Sequence, residues 1–164
     1  SVYIACSSGN NAGDGYAIAR LLSERGFHVS LLPMTPPDRL HGDALINAQR
    51  ALDQLHLPVI PPDHLDQIKR PDVWIDALFG IGLNRPLSDM YFPLIQRMER
   101  DRSRGTFLAS VDVPSGLNAE SGRAEGLAVH ADLTVTFEYA KTGHFLLDGP
   151  DYTGSLEVQS IGLD

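Results

Sequence analysis

The chain has 164 residues, 43% hydrophobic and 21% charged, with 13 Lys and Arg against 21 Asp and Glu for a formal net charge of −8. That length suits one domain, residues 1–164, whose core needs no staples, and that charge excludes a non-specific nucleic-acid binder, which needs a basic footprint. No apolar run reaches the ~20 residues that span a bilayer, no basic-then-apolar leader is visible, and the lone Cys6 has no disulfide partner, so the expectation is a cytoplasmic protein that touches neither membrane nor nucleic acid.

Val2 to Cys6 is an apolar run closed by Ser-Ser-Gly and predicts a buried strand, with Cys6 a structural thiol inside it. Tyr16, Ile18, Ala19, Leu21 and Leu22 then recur at helical spacing, up to Gly26. His28 to Leu32 predicts the second strand, Pro33 stops it, and the Pro-rich segment 34–39 is a loop. A helix fits Gly42 to Leu55, with Ala44, Leu45, Ala48, Ala51, Leu52 and Leu55 on one face. Val59-Ile60 predicts a short strand, His64 to Ile68 a helical turn, and Val73 to Phe79 a strong buried strand. Pro86 to Arg100 carries a helix with Tyr91, Leu94, Ile95 and Met98 inward, and Thr106 to Val111 is another buried strand. Leu133 to Phe137 and Leu156 to Ile161 alternate more clearly, which suits the exposed strands of a mixed sheet. Strands alternating with helices imply an α/β domain with a mostly parallel central sheet and right-handed crossovers.

Ligands of such sheets bind beyond the carboxyl ends of the strands. Three of those ends are unusually polar. The first, Ser7 to Gly15, combines three glycines with Asn10, Asn11 and Asp14 directly before a helix, whose amides can cradle a phosphate. A tight capped turn explains the glycines alone. The spacing is neither G-x-G-x-x-G nor a P-loop, which disfavours an ordinary dehydrogenase or an NTPase. The second, Asp76 to Pro86, places a carboxylate within an apolar strand end, where it needs a partner, then two loop glycines and Arg85. The third, Ser110 to Gly116, places Asp112 at a strand end before a Pro-Ser-Gly turn; no G-x-S-x-G elbow makes Ser115 a nucleophile. The six histidines, His28, His41, His56, His64, His130 and His144, lack zinc-ligand spacing. Asn11, Asp76 and Ser115 offer oxygens to a hard cation.

In order along the chain, Asn10-Asn11-Ala12-Gly13-Asp14-Gly15, Asp76 to Gly80, Asn84-Arg85-Pro86, Ser110 to Asn118, Gly122, Ala131-Asp132, Thr134 to Phe137, Lys141-Thr142-Gly143 and Ile161-Gly162-Leu163 resemble the NAD(P)H-hydrate epimerase family, also called the YjeF N-terminal domain family. The resemblance implies a three-layer α/β/α Rossmann-like fold. It implies epimerisation at C6 of hydrated NADH or NADPH, the R epimer being converted to the S epimer that a partner dehydratase uses. It implies a homodimer. By the same resemblance Asn10, Asn11, Ala12, Gly13 and Asp14, then Gly80, Ile81, Gly82, Leu83, Asn84, Arg85 and Pro86, and Asp112 bind the hydrated dinucleotide, while Asn11, Asp76 and Ser115 match the family's potassium ligands. Ala12 stands where the family has Gly, Ser7-Ser8 replaces a Gly-containing lead-in, and the family's helical segment before the first strand has no counterpart here.

C6 of the hydrate is a hemiaminal carbon, so loss of hydroxide or ring opening erases its stereocentre; both need proton transfer and charge stabilisation. Asp112 is the candidate carboxylate for the C6 hydroxyl and the adjacent positive charge. Lys141 is its polar or acidic partner, or else a surface lysine in a turn. Two other readings stand beside this one: a non-catalytic scaffold of the same fold that dimerises or binds protein, and an enzyme acting on another nucleotide or phosphorylated metabolite.

Overall fold

The structure is a computed structural model that describes every residue except Asn84, Glu125, Leu163 and Asp164. Six strands form one sheet in the order β2-β1-β3-β4-β5-β6. They are β1 (Val2–Cys6), β2 (Val29–Pro33), β3 (Val73–Ala77), β4 (Phe107–Val111), β5 (Leu133–Phe137) and β6 (Ser155–Gln159). Four α-helices among the described residues accompany them: α1 (Asn10–Glu24), α2 (Gly42–Gln49), α3 (Phe92–Arg102) and the short α4 (Gly149–Thr153). Each pairing between these six strands is parallel. The mixed sheet expected from the last two strands is therefore corrected. Their alternation reports incomplete cover, since four of the five β6 residues are exposed, and it does not report antiparallel pairing.

The predicted helix over 42–55 is α2 followed by a π turn at Arg50–Gln54. Val59 makes only a parallel bridge to Leu31. Residues 112–132 join β4 to β5 with no helix among those described. They still build a small core of Val113, Leu117 and Ala119 against Tyr152 of α4.

The strand period of two sends alternate residues to opposite faces. Val2, Ile4 and Cys6 of β1, with Ile75 and Ala77 of β3, meet Tyr16 and Ala19 of α1 and Ala44 and Ala48 of α2. On the other face Ala5, Leu32, Trp74 and Leu108 meet Leu94, Ile95 and Met98 of α3. Asp101 of α3 ties this layer down, accepting from Trp74 Nε1 at 3.0 Å and from Arg97 Nε at 2.7 Å. The α1 face is covered unevenly. Over β4 and β5 the described residues leave an apolar trough of about 360 Å³, floored by Ile75, Ala109, Val111, Val135 and Phe137 and walled by Ile18 and Leu21 of α1.

Gly15 sets how closely α1 lies on the sheet. A Cβ there would stand 2.6 Å from Ala77 Cβ and 2.7 Å from Cys6 Sγ. Alanine favours a helix by ~1 kcal/mol over glycine, but pushing a helix off two rigid strands costs toward the upper end of ~1–3 kcal/mol. Gly15→Ala is expected to lower the thermal midpoint, and an unchanged or raised midpoint in a melting curve would show that α1 shifts freely.

Candidate active site

The chain reverses its direction of travel along the sheet at β1, with β2 on one side and β3 on the other. At the carboxyl ends of these strands lies a cavity of about 690 Å³. Ser8, Gly9, Asn10, Asn11 and Asp14 supply one wall, Phe79, Gly80, Ile81, Gly82 and Leu83 a second, and Asp112, Phe137, Glu138, Lys141 and Ile161 the remainder. The loops after β1, β3, β4 and β5 thus open onto one space, where sheets of this kind hold their ligands.

The first wall is the start of α1. Its N-cap is Gly9, at φ +81°, and no side chain caps the helix, so the first amides stay available for an anion. Ala12 and Gly13 face away from the cavity: Ala12 is buried in the core, and a Cβ on Gly13 would meet the Ala44 backbone at 3.1 Å. Asp14 lines the cavity half-buried, and burial, then the charge of Asp112, push its carboxyl above the usual range.

Gly80 brings the second loop against the first. A Cβ there would lie 3.0 Å from Asp112 Oδ2 and 3.3 Å from Asn11 Oδ1, so a larger residue at this position would make those two side chains give by a few tenths of an ångström. Arg85 and Pro86 are exposed and do not line the cavity, and Asn84 lies outside the described residues.

Asp112 and Lys141 form the charged centre. Lys141 Nζ lies 2.7 Å from Asp112 Oδ1. Thr136 Oγ1 donates to the same Oδ1 at 2.8 Å and accepts from Lys141 Nζ at 2.8 Å, and Lys141 also donates to the Phe137 carbonyl at 3.1 Å. Asp112 has φ +68°, and Val113 N–H bonds back to the Val111 carbonyl at 2.9 Å. Glu138 repeats the pattern after β5, with φ +57° and Tyr139 N–H on the Phe137 carbonyl at 2.7 Å. Three-residue turns with a positive central φ are rare and strained. Here two of them bring carboxylate residues to one cavity, where such strain collects, the Glu138 carboxylate itself accepting from Ser160 Oγ at 3.1 Å.

Asp76 and Ser115 sit deeper, behind Phe79, and both are fully buried. The Asp76 carboxylate accepts from Ser115 Oγ at 2.6 Å, Ser115 N–H at 2.8 Å, Ser110 Oγ at 3.0 Å and Leu78 N–H at 3.2 Å. Burial nevertheless holds its pKa above the ordinary carboxyl value, the four hydrogen bonds pulling the other way. Ser115 Oγ in turn accepts from Phe79 N–H at 3.0 Å. Asn11 buries its side-chain nitrogen with no hydrogen-bond partner among the described residues. Turning that amide over presents its oxygen instead. Asp76, Ser115 and an Asn11 amide so turned offer oxygens of the kind that hard cations take. No group of three or more His, Cys, Asp and Glu able to hold a metal occurs among the described residues.

Residues 1–143 match the family model described as YjeF-related protein N-terminus. The chain belongs to the YjeF N-terminal family. Among its relatives, the NAD(P)H-hydrate epimerase of Limosilactobacillus fermentum is 39% identical over 158 residues, 96% of this chain and 73% of that protein. The bifunctional NAD(P)H-hydrate repair enzyme Nnr of Thermofilum pendens is 35% identical over 166 residues, 98% of this chain. The chain spans only 31% of that bifunctional relative's length. Yeast ynu0, known from a crystal structure, superimposes with a TM-score of 0.75 over 97% of this chain and 64% of its own at 19% identity, a likeness of fold.

The YjeF N-terminal sequence motifs and the cavity overlap without coinciding. Ser8, Phe79, Phe137 and Ile161 line the space from within those loops and motifs without being named as ligand contacts, and Glu138 lines it from outside them. Glu138 was within reach of sequence reasoning, because the rule applied to the ends of β1, β3 and β4 applies equally to β5. His144 lies behind Lys141, its Nδ1 accepting from the Lys141 main-chain N–H, a placement that its sequence spacing does not reveal. No helix among the described residues is long and apolar enough to cross a membrane.

Proposed function

We propose that this chain is an NAD(P)H-hydrate epimerase unit, an isomerase of metabolite repair that interconverts the R and S epimers of hydrated NADH and NADPH at C6 of the nicotinamide ring. The Asp112–Lys141 pair, set in one cavity with the uncapped start of α1, carries this reading. The helix start takes a phosphate of the dinucleotide. Lys141, as an ammonium, donates a proton to the departing C6 hydroxyl. Asp112 stabilises the ring cation left on N1 and C6 and, once that planar cation has turned its other face to the pair, takes the proton of the water that adds there. Proton transfer between the paired side chains restores the starting state. Asp14 lines the same space, its carboxyl pKa raised by burial and by the charge of Asp112.

A potassium ion belongs to the same proposal. Asn11, Asp76 and Ser115 would hold it, and its charge would offset that of buried Asp76 and so order the loops after β1, β3 and β4. A homodimer, a cytoplasmic location and a dehydratase that consumes the S epimer complete the reading; the bifunctional names of two relatives support the last.

The test follows the proton resonances of the two epimers after mixing R hydrate with the protein in potassium buffer, with a no-enzyme control. Acceleration over the control is expected, and it should weaken when lithium replaces potassium. Dinucleotide binding without acceleration would remove the catalytic assignment. Neither binding nor acceleration would favour a scaffold of the same fold.

A further inference from the structure

His144 is almost wholly buried, and both of its ring nitrogens are engaged. Nδ1 accepts from the Lys141 main-chain N–H at 3.1 Å. A neutral ring that accepts at Nδ1 carries its proton on Nε2, and Nε2–H points at the Asp112 carbonyl, 3.0 Å away. Burial, the larger influence, lowers the pKa of His144 and favours this neutral form. The Asp112 carbonyl belongs to the strained turn at φ +68°, and strained backbone persists only where its surroundings over-determine it. Among the described residues, two main-chain bonds also hold the turn: Asp112 N–H to the Val135 carbonyl at 2.7 Å and Val113 N–H to the Val111 carbonyl at 2.9 Å. The loop that carries His144 is itself fixed. Gly143 N–H donates to the Ala119 carbonyl at 2.7 Å, and a Cβ on Gly143 would lie 2.3 Å from the Asn118 carbonyl oxygen.

We propose that His144 is a positioning residue: by bonding the main chain of Asp112 through one nitrogen and that of Lys141 through the other, it sets the separation and aim of the charged pair. This rests on reading the cavity as the hydrate-epimerising site. The ring does not reach the cavity and exchanges no proton with substrate. It joins two loops that leave different strands, β4 and β5, and that also meet through the side chains of Asp112, Thr136 and Lys141 and through the Gly143 N–H bond to the Ala119 carbonyl.

Two amide replacements separate the two bonds. Gln at 144 puts its nitrogen near the place of Nε2 and keeps the donor to Asp112; Asn puts an oxygen near the place of Nδ1 and keeps only the acceptor for Lys141. His144→Ala is expected to lower kcat about tenfold or more, because small displacements of reacting groups are costly, with KM within roughly threefold because substrate contacts remain. His144→Gln recovers much of the lost kcat, and His144→Asn does not. A second measurement does not depend on turnover. The chain has two lysines, Lys69 and Lys141, and Lys69 is exposed, so reductive methylation followed by peptide mass spectrometry reports Lys141 against an internal standard. In wild type Lys141 reacts more slowly than Lys69; His144→Ala narrows that difference, and His144→Gln restores it more fully than His144→Asn. If His144→Ala fails to fold, the Gln and Asn variants carry the comparison. Equal behaviour of those two, or Lys141 protection and kcat unchanged in His144→Ala, would overturn the proposal. Wild type that does not epimerise hydrate, with Lys141 protection still tracking residue 144, would remove the function and leave the positioning role standing.

Discussion

Asp112→Asn is expected to lower the rate of R-to-S conversion by about 10²-fold or more, the usual worth of a positioned acid–base group, while leaving the fold in place. The substitution is chosen for the backbone. Asp112 holds φ +68°, a region that Asn enters more readily than most side chains. The amide oxygen of Asn can still accept from Thr136 Oγ1, so the bond seen at 2.8 Å survives. What disappears is the negative charge facing Lys141 Nζ at 2.7 Å, and with it both the acceptor for the incoming water's proton and the counter-charge for the ring cation. Asp112→Ala should abolish conversion outright, with some loss of stability, because Ala at positive φ is strained. Epimer interconversion and a melting curve on the same samples decide the matter. Full turnover in Asp112→Asn, with the melting curve unchanged, would take Asp112 out of the chemistry.

The largest loss of stability is expected at Asp76→Ala. The carboxylate is fully buried and gathers four donors from Ser110, Ser115 and Leu78. Removing it strands the Ser110 hydroxyl and two main-chain N–H groups in the interior, at ~1–3 kcal/mol for each group left unpaired, and it removes the carboxylate's share of the link between the loops after β3 and β4, which Phe79 N–H and Ser115 Oγ still join. Some donors will find water or turn away, so a net loss of about 4 kcal/mol is a reasonable sum, or on the order of 10 °C in melting temperature for a chain of this size. Opposing this is the cost of burying a carboxylate, visible in the raised pKa of Asp76. The four bonds outweigh it, because a half-emptied polar cluster costs more than a complete one. Potassium should raise the melting temperature of wild type and leave that of Asp76→Ala unmoved. A variant as stable as wild type would mean that the carboxylate's own desolvation cancels everything its donors contribute.

Much of the fold was legible in the sequence, for a simple reason. β1, β2, β3 and β4 are apolar runs because parallel strands between two layers meet side chains on both faces, and Tyr16, Ala19, Leu94, Ile95 and Met98 repeat at helical spacing because each helix buries one stripe. β5 and β6 misled because alternation reports one bare face and says nothing of strand direction. The π turn after α2 and the short α4 escaped since neither is long enough to show a period. Within the site, strand ends with polar loops were visible as a pattern, and Asp76, Asp112 and Asn11 stood out because carboxylates and amides beside apolar strands need partners. Which residues of a motif face the cavity was not visible. Ala12, Gly13, Arg85 and Pro86 share motifs with lining residues, and the helical phase of α1 and the path of the second loop turn them elsewhere. His144 escaped because its partners are main-chain groups, and no side-chain pairing rule records those.

The uneven cover of the sheet also governs how the molecule breathes. β1 lies between α1 and the α3 layer, whereas β5 borders the bare trough and β6 is largely exposed. Segments with fewer buried contacts open at lower free energy than the whole domain, in contiguous cooperative units. The seam between the two regimes runs through the cavity: Asn11 and Gly80 stand on the closed side, Glu138 and Lys141 follow β5 on the looser one. A dinucleotide lying across that seam would hold both sides at once, so its binding energy would appear as slower amide exchange in β5 and β6, far from most of its contacts.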